Sequence, residues 1–177
     1  MSDLRFEFEV RGLEKLRQAG SRFDQAFQEA GRETMARASA DLQNRTVQRF
    51  QHPARNLPPA INTGLLRGSV APRTPRVEGR TIEGGIATNV SYALPVEAGS
   101  RPHWPPRAPI EFWVRRKLRV PGPQVKGVAF LVARKIARRG TQARRIFALG
   151  LEDARPRMTE IFRRLPGLIV RRMAEGT

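Results

Sequence analysis

Apolar and polar residues alternate strictly over LRFEFEV (4–10). Leu4, Phe6, Phe8 and Val10 take one face, Arg5, Glu7 and Glu9 the other, which predicts a half-buried strand. From about Leu13 to Phe50 the period changes. Leu13, Leu16, Phe23, Phe27, Ala30, Thr34, Ala38, Leu42 and Val47 recur mostly at three- and four-residue steps, the stripe of a long helix. Gly20 and Gly31 weaken that helix by ~1 kcal/mol each relative to alanine, and Gly20 is the place for a break. Pro53, Pro58 and Pro59 end it, so 51–61 reads as a loop.

The middle of the chain returns to strand-like patterns. Residues 65–73 and 81–90 are expected to be strands, the second alternating Ile82, Gly84, Ile86, Thr88 and Val90. The turn-rich PRTPRVEG between them predicts a hairpin or meander. SYALPVEA (91–98) supplies one or two helical turns. Residues 99–109, with four prolines, form an extended loop.

Helices then dominate. One begins at Pro109 and gathers Ile110, Trp113, Val114 and Leu118 on one face, with Trp113 in the core. Arg115, Arg116 and Arg119 lie opposite, and Phe112 sits among them. A second, Val125 to Arg139, gathers Val125, Val128, Ala129, Val132, Ala133 and Ile136, with Arg134 and Arg138 opposite and Gly140 as its stop. A last helical region runs from about Glu152 to Met173, interrupted near Pro166-Gly167. The fold class is therefore α+β, in which a small antiparallel sheet packs against a long N-terminal helix and C-terminal helices. The whole chain, 1–177, reads as one domain.

Charge changes this picture. The chain holds 33 Lys+Arg against 16 Asp+Glu, a net +17. Residues 101–145 alone carry 13 basic residues and one acidic residue, so a quarter of the chain holds most of the excess. Such a field attracts DNA, RNA or an acidic protein surface. The plainer alternative is a solvated arginine-rich face. Arg115, Arg116, Arg119, Arg134, Arg138, Arg144 and Arg145 are the candidate DNA- or partner-facing cations, and Phe112, Phe130 and Leu131 the candidate interface residues. Trp104, Phe112, Trp113, Phe130 and Phe147 interleave with the cations, an arrangement that can stack on single strands.

Catalytic chemistry finds little footing. The absence of cysteine excludes a disulfide, a thiolate metal site and a cysteine nucleophile. His52 and His103 sit beside prolines without metal-ligand spacing. Ser69 or Ser91 with His103 and Glu97 would lack a nucleophile elbow. Glu78, Glu83, Glu97 and Glu111 are isolated rather than grouped as in metal nucleases. Gly84-Gly85 marks a bulge or close packing, not a phosphate loop. No enzyme and no cofactor are expected. The N-terminus shows no secretory pattern, and no apolar run approaches the ~20 residues of a membrane span.

Several stretches share one order: VRGLEKL (10–16), NTGLLRGSV (62–70), NVSYALPVEAGSRPH (89–103), WVRRKL (113–118) and VAFLVARKIARRGTQARRIF (128–147). Together they resemble the tail-completion, or head–tail joining, proteins of tailed bacteriophages, including the lambda Z-like minor tail proteins. The matching positions include Thr63, Gly64, Arg67, Tyr92, Glu97, Gly99, Gly140 and Thr141. Pro95 and the proline-rich 101–109 depart from the family pattern. The resemblance implies a structural, non-catalytic protein of the virion neck or tail, assembled in the host cytoplasm. It implies a homo-oligomeric ring, commonly hexameric, that joins the head connector to neighbouring tail proteins and passes double-stranded DNA. The alternative is a free basic nucleic-acid-binding protein. Within NTGLLRGSV, Thr63-Gly64 is expected to turn the chain, Leu66 to anchor it, and Arg67 to pair with Glu97.

Overall fold

The computed structural model describes residues 2–9, 22–53 and 57–175. Its elements are β1 (Ser2–Glu9), α1 (Phe23–Arg49), α2 (Leu65–Ser69), β2 (Ala71–Pro72), β3 (Arg76–Glu78), β4 (Thr81–Thr88), α3 (Ala93–Ala98), α4 (Arg107–Trp113), α5 (Gly122–Arg139), α6 (Ile146–Arg163) and α7 (Leu165–Glu175). A π-helical turn, Val114–Leu118, follows α4. The architecture is α+β: a small antiparallel sheet with the long helix α1 packed between it and the C-terminal helices.

Strand β4 is the centre of the sheet. Antiparallel β1 lies along one side, with Leu4 opposite Ile86 and Phe8 opposite Ile82. β2 and β3 lie along the other, with Ala71 opposite Ala87 and Val77 opposite Ile82. The side chains of Leu4, Phe6 and Phe8, with Val10 and the expected helical residues 13–21, lie outside the described residues. Along β4, Ile82, Gly84, Ile86 and Thr88 are buried, as the alternation predicts.

The stripe predicted for the long helix is buried from Phe23 through Leu42. Near the end of α1 the buried position is Thr46, and Val47 is only partly covered. Much of the buried face is small: Ala26, Ala30, Gly31, Ala38, Ser39. Small residues let α1 lie close to the sheet and to α6. A β-carbon on Gly31 would sit 3.1 Å from Ile82 Cδ1, and one on Gly84 would overlap the Met35 side chain. Gly31 and Gly84 are therefore packing glycines, and at Gly31 the contact offsets the helix penalty. The Gly85 N–H donates to Ser39 Oγ at 3.1 Å, which satisfies a buried hydroxyl on α1. A β-carbon on Gly150 of α6 would come within 2.8 Å of Thr46 Cα.

Three expectations need correction. Residues 65–69 are a helical turn rather than the start of a strand. Gly64 takes φ 86°, which no L-residue adopts cheaply, and reverses the chain. Thr63 Oγ1 accepts the Leu65 N–H at 3.2 Å, and the Gly68 N–H reaches Gly64 O at 2.8 Å. Leu66 is in the core as expected, and strand pairing starts only at Ala71. The helix expected from Pro109 begins at Arg107. Its π turn accommodates an extra residue, which swings Leu118 off the apolar face and leaves it 49% exposed, while Trp113 is only partly buried. The last helical region begins at Ile146, ahead of Glu152, and breaks at Arg164. Pro166 then falls in the first turn of α7, where its missing N–H costs nothing. Pro95 likewise falls in the first turn of α3, which stays regular.

Candidate interaction surface: a clasped cationic hairpin

Two of the quoted sequence stretches meet in space, through residues more than forty positions apart. Gly99 and Gly140 face each other across the two chain segments that lead into and out of residues 101–139. Both have positive φ, 77° and 67°, with ψ near −178° and −158°, a region essentially restricted to glycine. A β-carbon on Gly140 would overlap Ser100 O, and one on Gly99 would overlap Thr141 O. That closeness lets Ser100 and Thr141 pair. The Ser100 N–H donates to Thr141 O at 3.2 Å, the Thr141 N–H to Ser100 O at 3.1 Å, and their hydroxyls are 3.0 Å apart.

Beyond the pair, the Arg144 and Arg145 N–H groups donate to Val96 O and Glu97 O at 3.0 and 3.1 Å. The Glu97 carboxylate then accepts the Phe147 and Ala148 N–H groups, each at 2.9 Å. These are orphan donors of the first turn of α6, where the helix dipole also favours an anion. Glu97 is thus committed to a helix N-terminus, not to Arg67, which is exposed on α2. His103 is exposed, with Nδ1 2.9 Å from Arg101 O. Tyr92, immediately before α3, is 43% exposed.

The clasp holds a helical hairpin made of α4, the π turn and α5. Val114, Val125 and Ala129 form its own small core, flanked by Ile110, Trp113, Val120, Val128 and Val132. Residues 107–139 contain ten basic residues and one acid, Glu111. Glu111 lies 3.9 Å from Arg107, the hairpin's one ion pair among the described residues. In the body, Arg49, Arg157 and Arg172 each hold carboxylates of nearby helices or turns, while Arg67, Arg155, Arg163 and Arg164 are, like the hairpin cations, without an ion pair among the described residues. The candidate cations Arg115, Arg116, Arg119, Arg134 and Arg138 are exposed on the hairpin. Lys135 and Arg139, absent from the expected set, join them. Their four-residue spacing from Leu131 and Lys135 was the available signal. Like-charged neighbours such as Arg134–Arg138 and Lys135–Arg139 cost a helix about 0.2–0.5 kcal/mol each.

Arg144 and Arg145 differ from the other candidates. The Arg144 guanidinium donates to Pro58 O and is partly buried, and burial pushes its pKa down. It ties the 57–61 segment to the clasp. Arg145 takes φ 51° at the start of α6 and pairs with Glu152 at 3.2 Å.

The hairpin also exposes apolar area. Phe112, Phe130 and Leu131 are 53%, 49% and 58% exposed. Trp104, from the proline-rich segment, leans on Phe130 with ring centroids 5.8 Å apart. Among the described residues no group of three or more metal-ligating side chains is found, and no helix is long and apolar enough to cross a membrane. The hairpin surface therefore combines exposed cations with exposed apolar side chains. Comparison with protein-family models, curated proteins and solved structures finds no significant match.

Proposed function

We propose that this protein is a structural component of a phage neck. It is a tail-completion, head–tail joining adaptor that assembles into a ring, links the head connector to the tail and leaves a passage for double-stranded DNA. The observation that carries the reading is the clasp. Two of the sequence stretches behind the resemblance, YALPVEAG and the segment around Gly140-Thr141, interlock through Gly99, Ser100, Thr141 and Glu97. Their residue types, two glycines at positive φ and a carboxylate on a helix N-terminus, are those that a rigid junction needs. The junction presents a hairpin whose cations, Arg107 apart, have no carboxylate partner among the described residues, as suits an adaptor's contact surface.

Mass photometry and negative-stain microscopy of the purified chain, alone and with isolated tails, test this. A ring is expected; a hexamer of the 20.0-kDa chain would weigh about 120 kDa. A chain that stays monomeric and joins neither heads nor tails overturns it. The unpaired hairpin cations also favour a second reading, a free nucleic-acid-binding protein. In that case a monomer or dimer binds duplex DNA with a steep salt dependence and no ring appears.

A further inference from the structure

Leu131 occupies the centre of the outward face of α5. Val125 and Ala129 belong to the hairpin core and Ala133 is also buried, and at 100° per residue Leu131 is turned nearly opposite Ala129. Leu131 is 58% exposed, so the fold buries less than half of an apolar residue there. Its helical neighbours at three, four and seven residues are Arg134, Lys135 and Arg138. With Arg139 they line a shallow groove beside Leu131 of about 300 Å³. None of these four cations has an acidic partner among the described residues. Phe130, with Trp104 against it, extends the apolar area along one flank.

An apolar centre rimmed by arginines is the anatomy of a protein–protein contact. Duplex DNA would neutralise the cations but would leave Leu131 and Phe130 without a role, because its accessible surface is largely phosphate and sugar. An isologous contact with a second copy would set the same cations against each other. Charge complementarity selects a different occupant. We propose that this face docks an acidic amphipathic helical segment of a neighbouring protein. One apolar side chain of that segment rests on Leu131 and Phe130, and its carboxylates meet Arg134, Lys135 and Arg138. The inference names the chemistry of the neighbour in the adaptor reading. It rests on that reading for where the neighbour sits, not for the contact itself.

Fluorescence anisotropy with the full-length chain tests it. The probes are a labelled helical peptide with leucines at i, i+4 and i+7 flanked by glutamates, the same peptide with Glu→Gln, polyglutamate, and a short DNA duplex. The Leu/Glu peptide is expected to bind with a Kd of about 10 μM, and the Glu→Gln peptide and polyglutamate at least about tenfold more weakly. Leu131→Gln should weaken the peptide about tenfold while leaving duplex binding unchanged. Arg134→Glu with Arg138→Glu should abolish peptide binding. Both sites are exposed, so circular dichroism should show the wild-type fold. The proposal is overturned if the peptide does not bind, if polyglutamate binds as well as the peptide, or if Leu131→Gln leaves peptide binding intact. It is also overturned if the duplex binds more tightly and Leu131→Gln weakens it, which marks a nucleic-acid face. A ring-forming chain that ignores the peptide refutes this inference alone. A monomer that binds the peptide refutes the ring alone.

Discussion

Replacing Glu97 tests the physical core of the clasp. Its two carboxylate oxygens each accept one backbone N–H at 2.9 Å, from Phe147 and Ala148, in a part-buried setting. Hydrogen bonds to a charged group contribute about 1.5–3 kcal/mol each by mutation, and two on one carboxylate are not additive. Glu97→Ala removes both acceptors and leaves two first-turn amides beside Phe147, itself only 7% exposed, without partners. A loss of about 3 kcal/mol follows. Glu97→Gln keeps one acceptor oxygen but loses the charge that complements the helix dipole, and turns an NH2 group toward the other amide. About 2 kcal/mol is expected. For a chain of this size 1 kcal/mol moves Tm by about 2–4 °C, so Glu97→Ala should melt about 6–12 °C and Glu97→Gln about 4–8 °C below wild type. Far-UV circular dichroism melts give the shifts. Limited proteolysis across 100–106 reports whether the hairpin junction loosens with them. If Glu97→Ala melts within about 1 °C of wild type, water satisfies those amides and Glu97 does not anchor the clasp.

Gly140→Ala should destabilise by about 2–3 kcal/mol, because alanine is strained at φ 67° and its methyl would overlap Ser100 O; thermal melts read the loss, and an unchanged Tm refutes the close approach. The pair between Arg49 of α1 and Asp153 of α6 makes stability sensitive to acid. The hydrogen bond from Arg49, with its charge, holds the Asp153 carboxyl below its usual 3.8 despite partial burial. Its contribution is therefore complete above that ordinary value and is lost as pH falls through the lower folded one. Asp153→Asn should cost about 1 kcal/mol at neutral pH, discounted because both side chains are roughly 30% exposed, and should match wild type in strong acid; urea melts across pH check this. Glu33, lowered chiefly by its hydrogen bond from Arg172, adds acid sensitivity of the same sign.

Periodicity made the α+β class legible because the two periods are far apart: Leu4-to-Val10 alternates, and Phe23-to-Leu42 steps by three and four. The same rule failed at LLRGS, where no clean alternation exists and where Gly64 and Thr63 dictate a helical turn through backbone geometry and a single hydroxyl. It failed again at Leu118, because a π turn shifts the phase of every following residue and leaves no residue-type signature. Gly31 and Gly84 were visible as oddities, but their purpose needed the partner surface, Ile82 for one and Met35 for the other.

The clasp shows why the candidate surface was half legible. Its links run mostly between backbone atoms of 96–100 and 141–145, and a backbone hydrogen bond asks almost nothing of residue type. Only the two glycines and Glu97 had to be what they are, and a lone glutamate invites a charged partner such as Arg67 as readily as a helix N-terminus. The hairpin's charge, by contrast, was countable in the sequence, and so was its consequence. With Glu111 as the single acid among residues 101–145, most of the cations there had no carboxylate within reach along their own helices. Whether acids from elsewhere came to them was a question of tertiary packing. One did, Glu152 of α6 to Arg145, but Glu33 of α1 turns to Arg172 and Asp153 of α6 to Arg49. The latter ties hold α1 to α6 and α7, while on α5 Arg134, Lys135, Arg138 and Arg139 stay exposed beside Leu131 with no carboxylate partner among the described residues.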